Sequence, residues 1–266
     1  PFANIFIDPA SETAMIGEDL FPKDFILTID APSNYCGALR IFSDRADLDI
    51  LRDISDNEDT IPLRHKIHDL PEALPSSLYQ AIRTYILAHA IRICRGQGGE
   101  HHSMMINVSR FTAVQTRVKE IVHRYVDELR SAILLHYALP KNEALGNSYM
   151  RQLFETWIDE YRNGEESWSD IQELLKDAVS PISVIEVNGS RGAEALDYNR
   201  KQWPNGRKLI AVGGLSLSRG ITLEDLSVSY FLRNTQMYDT LLQMGRWFGY
   251  RNGYEDVCRI WVTPEA

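Results

Sequence analysis

The chain has 266 residues, 44% of them hydrophobic and 24% charged, enough to bury one or two ordinary cores. Its 28 Lys and Arg against 37 Asp and Glu leave a net charge of −9, which excludes a dedicated nucleic-acid coat, because such proteins hold phosphate with an excess of clustered cations. No apolar run reaches the ~18 residues of a membrane span, no secretory leader is evident, and Cys36, Cys94 and Cys258 form no C-x-x-C pair, which argues against a disulfide framework or a cysteine zinc site. A cytoplasmic protein that avoids membranes is expected, and the start at Pro1 rather than Met reads as a piece of a longer protein.

In chain order, PFANIFID (1–8) and DFILTID (24–30) read as strand-bearing segments, and 44–59 carries seven carboxylates against two Arg, the pattern of a solvated surface. Residues 74–96 show apolar spacing of 3.6, with a Ser pair near the start and Gly96 at the stop, which predicts a helix. MMINVSR (104–110) predicts a strand running through a short polar turn into a long amphipathic helix over 111–138. The helical stretch 148–179 interrupts the alternation and reads as an insertion at about 140–180. Alternation then resumes with a strand at 182–189, a helix at 191–202, strands at 207–214 and 226–232, a helix at 237–248 and a strand at 257–263. Repeated strand–helix units predict an α/β fold with a mainly parallel sheet and helices on both faces. The basic run RKQWPNGRK (200–208) can be a solvated face or a phosphate contact.

No phosphate-cradling G-x-x-x-x-G-K-[ST] loop and no strand-end Asp-Glu pair for magnesium occurs, so the chain by itself is expected to bind ATP poorly. His65 and His68, and the adjacent His101 and His102, lack Cys or carboxylate partners at a diagnostic spacing and read as structural or solvated. Trp247, Phe248 and Tyr250 read as packing residues rather than base-stacking ones.

Four segments, in order, resemble motifs of the C-terminal RecA-like lobe of superfamily 2 helicases. GGLSLSRGITLEDL (213–226) resembles motif V through Arg219, Gly220 and Ile221, with Thr222 where the family commonly has Asp. QMGRWFGYR (243–251) is similar to motif VI through Gln243, Gly245 and Arg246, with Arg251 as a second arginine; its spacing departs from the family, so Gly249 is expected to end the helix and a turn to bring Arg251 round. INVSRFTAVQTRVKEIV (106–122) resembles motif IV at Ser109 and Arg110, ISVIEVNGSRG (182–192) the next strand and turn at Gly189, and PFAN (1–4) the tail of the interlobe linker. More narrowly, SRGITLEDLSVSYFLRNTQMYDTLLQMGRWFGYR, LFPKDFI, NYCGA and SMMINVSR are similar to the Z1-domain family, a bacterial group that carries an endonuclease label and is associated with restriction and phage-defence systems.

These resemblances imply a P-loop NTPase-type lobe over 101–266, with residues 1–100 as the end of a preceding ATPase lobe plus a helical interlobe segment. They imply ATP and Mg2+ as cofactors bound mainly by a preceding lobe. Catalytic roles fall to Arg246, Arg251 and Gln243, nucleotide contacts to Arg219, Gly220 and Gly245, and nucleic-acid contacts, with DNA expected, to Ser109, Arg110 and Gly189. No metal ligand is assigned. An endonuclease or a non-catalytic interaction scaffold is the alternative, and partner subunits of a defence system are expected.

Overall fold

The computed structural model describes residues 32, 35–42, 48–188, 196–214, 217, 222–232 and 248–264. The chain divides into units 1–33 and 34–266, and the description concerns the second. In order it contains β1 (Tyr35–Cys36), α1 (Ala38–Phe42), β2 (Leu51–Asp53), α2 (Ser76–Cys94), β3 (His102–Asn107), α3 (Thr112–His136), α4 (Lys141–Ala144), α5 (Ser148–Glu160), α6 (Trp168–Val179), β4 (Ile182–Val187), β5 (Lys208–Gly213), β6 (Leu226–Phe231), β7 (Gly249–Tyr250), a 3-10 turn (Glu255–Val257) and β8 (Arg259–Val262).

Six strands pair in the order β2-β8-β6-β3-β5-β4, and every pairing in this sheet is parallel. The expected α/β architecture is therefore present. Strands β3, β5 and β6 are buried along their whole lengths, as parallel strands covered on both faces must be. Strand β3 lies between β5 and β6. The connection leaving β3 leads toward β4, whereas the one leaving β6 leads toward β8, so the chain turns opposite ways from two neighbouring strands. Such a switch point opens a crevice at the carboxyl ends of β3 and β6, where open α/β sheets bind ligands.

The long described helices form one two-deep layer. Helix α2 packs on β6 and β8, α3 packs on β4 and β5, and both touch α5 and α6. The expected insertion is thus α4–α6, and it is part of the core: Met150, Leu153, Ile171 and Leu175 are fully buried. Strand β2 and helix α2, which the motif order places in the preceding segment, join the same sheet and core.

Local chemistry explains the helix ends. Helix α2 stops where Gly96 takes φ 77°, with Gly96 N–H bonding Ile93 O and Gln97 N–H bonding Arg92 O, which satisfies the last carbonyls. Its start is capped from outside: Asp56 accepts from the Ser77 N–H at 2.8 Å and from the Ser77 hydroxyl at 2.5 Å. Helix α6 starts in a capping box of Ser167 and Asp170.

One expected helix is corrected. Residues 196–202 form turns, because Asp197 Oδ1 takes the Asn199 N–H and Asn199 Oδ1 takes the Lys201 N–H, both at 2.9 Å, diverting the backbone from helical pairing. Residues 191–195 and 237–247 lie outside the described residues, as do the strands expected within 1–30. At 249–250 the chain is a strand paired antiparallel with β1, and Gly249 has φ 153°, so no helix continues through it.

Candidate functional site

Of the residues expected to carry function, Ser109, Arg110 and Arg251 are described; Gly189, Arg219, Gly220, Gln243, Gly245 and Arg246 lie outside the described residues. Ser109 and Arg110 leave the carboxyl end of β3, at the switch point. Ser109 is buried, with 2% exposure, while Arg110 is exposed and its guanidinium lies 4.7 Å from the Phe111 ring centroid.

The Ser109 hydroxyl has two partners. It accepts from the Phe111 N–H at 3.0 Å and meets His65 Nε2 at 2.7 Å. His65 Nδ1 lies 2.6 Å from Pro62 O, and a carbonyl can only accept, so Nδ1 carries a proton; in that tautomer of the ring Nε2 accepts the Ser109 hydroxyl hydrogen. The His65 ring stands edge-on to Phe111 at 5.9 Å. This connectivity is that of a base-oriented hydroxyl, yet both contacts of the Ser109 hydroxyl lie inside the fold. The pair therefore acts as a latch between the 62–71 segment and β3.

Beside it, Gln115 donates from Nε2 to Ser109 O at 2.8 Å, and Asn107 donates from Nδ2 to Gly214 O at 3.4 Å. A Cβ on Gly214 would fall against the Gln115 amide nitrogen and 2.8 Å from Ser109 O, so only glycine lets β5 end this close to the β3 turn. Among the described residues, Asn107 Oδ1 and Gln115 Oε1 are buried acceptors without a hydrogen-bond partner. On β4, Glu186 accepts from Thr116 at 2.8 Å and from the Asn188 amide, tying the next strand end to α3. Sequence reading missed His65, Asn107, Gln115 and Gly214 as neighbours of Ser109. Only the Gly213-Gly214 pair offered a local signal.

Arg251 lies elsewhere. Its side chain is 9% exposed, donates to the Tyr254 hydroxyl at 3.3 Å, and lines a cavity of about 10 Å3 with Cys36, Ser227, Ser229 and Cys258. The Tyr254 hydroxyl in turn donates to Asp225, just before β6 begins, at 3.5 Å. Arg251 thus sits against the amino-terminal half of β6 and is not brought to Ser109. Burial pushes the Cys258 thiol up to about 11 and the Tyr254 phenol up to about 12.

The other singled-out polar residues are structural. His89, His102 and Tyr85 stack in the core, with His89–His102 centroids 5.0 Å and Tyr85–His102 centroids 4.5 Å apart. Arg92 donates to His102 Nδ1 at 3.0 Å and pairs with Asp225 at 2.8 Å. Burial holds His89 down at about 3 and His102 well below the ordinary histidine range, so both are neutral. The basic run 200–208 is largely used internally. Arg200 pairs with Glu100, Arg207 lies 5.0 Å from the Trp203 ring, and Lys208 Nζ donates to Gly98 O at 2.7 Å, burial lowering it to about 8. Among the described residues, no group of three or more His, Cys, Asp or Glu is placed to hold a metal, and no helix is long and apolar enough to cross a membrane.

No curated protein and no solved structure matches the chain significantly. The Z1 domain profile matches residues 77–266, from the first turn of α2 past β8, and so takes in β3 and its turn, the Gly214 approach and Arg251. The chain belongs to the Z1 domain family.

Proposed function

We propose that the chain is the C-terminal, RecA-like lobe of a superfamily 2-like, nucleic-acid-dependent ATPase that serves bacterial restriction or phage defence. The observation that supports this reading is that β3 and β5 are adjacent and parallel, so the segments expected to be motifs IV and V follow neighbouring strand ends at the same edge of one sheet. In this reading a preceding lobe binds ATP and Mg2+. Arg246, with Gln243 and Gly245, meets the γ-phosphate on closure, and Arg219 and Gly220 border the nucleotide. A planar, permanently charged guanidinium suits that task because it stabilises charge spreading over the phosphoryl oxygens. Arg251, which donates to the Tyr254 hydroxyl, has a structural part in this reading. Arg110 is the exposed strand contact at the β3 end, backed by the buried Ser109, with Gly189 as a further expected contact.

The test is ATP turnover by the full-length protein with and without single-stranded nucleic acid. Stimulated turnover that Arg246→Ala lowers tenfold or more, with ATP affinity little changed, supports the reading. Metal-dependent strand cleavage without ATP turnover would replace it with the endonuclease reading, and neither activity would leave the interaction scaffold.

A further inference from the structure

We propose that the 62–71 segment completes the strand-binding wall: Arg64 and Lys66 join Arg110 in contacting a single-stranded phosphodiester backbone, and the His65–Ser109 latch holds them there. The inference rests on the strand-contact reading of Arg110.

Covalent neighbours set the geometry. Arg64 and Lys66 flank His65, and Arg110 follows Ser109, so the 2.7 Å contact between His65 and Ser109 brings the backbone positions of all three cations close together. The segment is fastened along its length. His65 Nδ1 and the His65 N–H both bond Pro62 O, Asp69 Oδ2 takes the Lys66 N–H at 2.7 Å, and Arg117 of α3 donates to Pro71 O at 3.1 Å. Phe111 is shared, with the His65 ring edge-on to it and the Arg110 guanidinium over it.

Charge then singles out this rim. In a chain of net charge −9, Arg64, Lys66 and Arg110 are exposed, and their side chains have no carboxylate partner among the described residues. Of the carboxylates on the segment and on the first turns of α3, Asp69 accepts the Lys66 N–H and Glu120 pairs with Arg117. Helix α3, 25 residues long, begins here without a side-chain cap, and Thr112 and Ala113 of its first turn are exposed, so its dipole adds to the positive potential. Phosphodiester oxygens are the acceptors that three cations in a row would meet, and the segment turns one contact at Arg110 into a track.

The experiment measures anisotropy of labelled oligo-dT and oligo-U bound to the full-length protein across a salt series, the two oligonucleotides distinguishing DNA from RNA. Each single-strand phosphate contact contributes about 0.7 to the slope of log affinity against log salt, so Arg64→Ala with Lys66→Ala should lower the slope by about 1.4, and Arg110→Ala by about 0.7. These side chains are exposed, so thermal midpoints should not move. His65→Ala should weaken binding and make the Arg64/Lys66 substitutions cost less than in the parent, with His65→Gln, which keeps an acceptor for Ser109, restoring part of the loss. If the Arg64/Lys66 variant keeps parental slope and affinity while Arg110→Ala does not, the segment has no such role and the strand reading stands. If Arg110→Ala also changes nothing, both fall.

Discussion

Replacing Gly214 by Ala tests the packing that places the β3 turn. The added Cβ would stand 2.8 Å from the Ser109 carbonyl oxygen, a backbone atom that cannot step aside without moving the turn, and would press on the Gln115 amide. Gln115 is 3% exposed, so its side chain has no open space to enter. Overpacking of this kind costs about 1–3 kcal/mol, and displacing Gln115 forfeits its hydrogen bond to Ser109 O, a further ~1 kcal/mol. The expected loss is therefore about 2–4 kcal/mol, read from urea unfolding at neutral pH. Gln115→Ala in the same chain removes the obstructing amide. The double variant should then be more stable than the sum of the single losses allows, with a coupling on the order of 1 kcal/mol. A Gly214→Ala protein within about 0.5 kcal/mol of the parent, or losses that simply add, would refute the close approach of β5 to the β3 turn.

Acid should destabilise the core. The folded-state value of His89 is depressed to about 3 from 6.5, so its contribution is fully present above pH 6.5 and is lost as pH falls toward 3; at pH 4.5 the deficit is on the order of 3 kcal/mol from this residue alone. His89→Asn, whose amide can still donate to Ala178 O, should flatten that dependence, and an unchanged pH slope in urea unfolding would count against the buried neutral histidine. Glu160 is buried between Arg52 at 2.8 Å and Arg259 at 2.6 Å, so Glu160→Ala should cost about 3–5 kcal/mol by stranding the buried Arg259 charge, and a loss under 1 kcal/mol would contradict the pairing. Arg246→Ala and Arg251→Ala should separate by assay: the first lowers ATP turnover without moving the thermal midpoint, the second lowers the midpoint; equal behaviour would undo the division of roles. Cys94 is exposed and Cys258 buried with its thiol pushed up to about 11, so peptide mapping after brief alkylation at pH 8 should find Cys94 modified and Cys258 intact.

Local energetics made much of the fold legible in advance. The parallel sheet follows from apolar runs such as LIAVG and LSVSYF alternating with helical periodicity, because each strand's burial and each helix's stripe are written in adjacent residues. The stop of α2 at Gly96 and the break at Gly249 follow from backbone conformations that glycine alone adopts cheaply. The helix misread at 196–202 fails for a local reason too: Asp197 and Asn199 offer the backbone a competing set of hydrogen bonds.

Polar side chains behaved differently, since a charge or hydroxyl takes its meaning from whatever the chain brings beside it. His65 and Ser109 are 44 residues apart and no local pattern links them. The basic run 200–208 could be a solvated face or a phosphate contact, and Glu100, the carbonyls of the 98–99 turn and Trp203 take up three of its four cations. Arg251 resembled a finger in its motif, yet it follows strand β7, which pairs with β1, and lies against Tyr254 and the amino-terminal half of β6. Sequence alone determined strands β3 to β6 and β8 and helices α2, α3, α5 and α6, because those choices depend on neighbours along the chain. Only the tertiary structure decided which polar groups face solvent and which are locked, because that depends on which strand ends the parallel topology gathers at one edge.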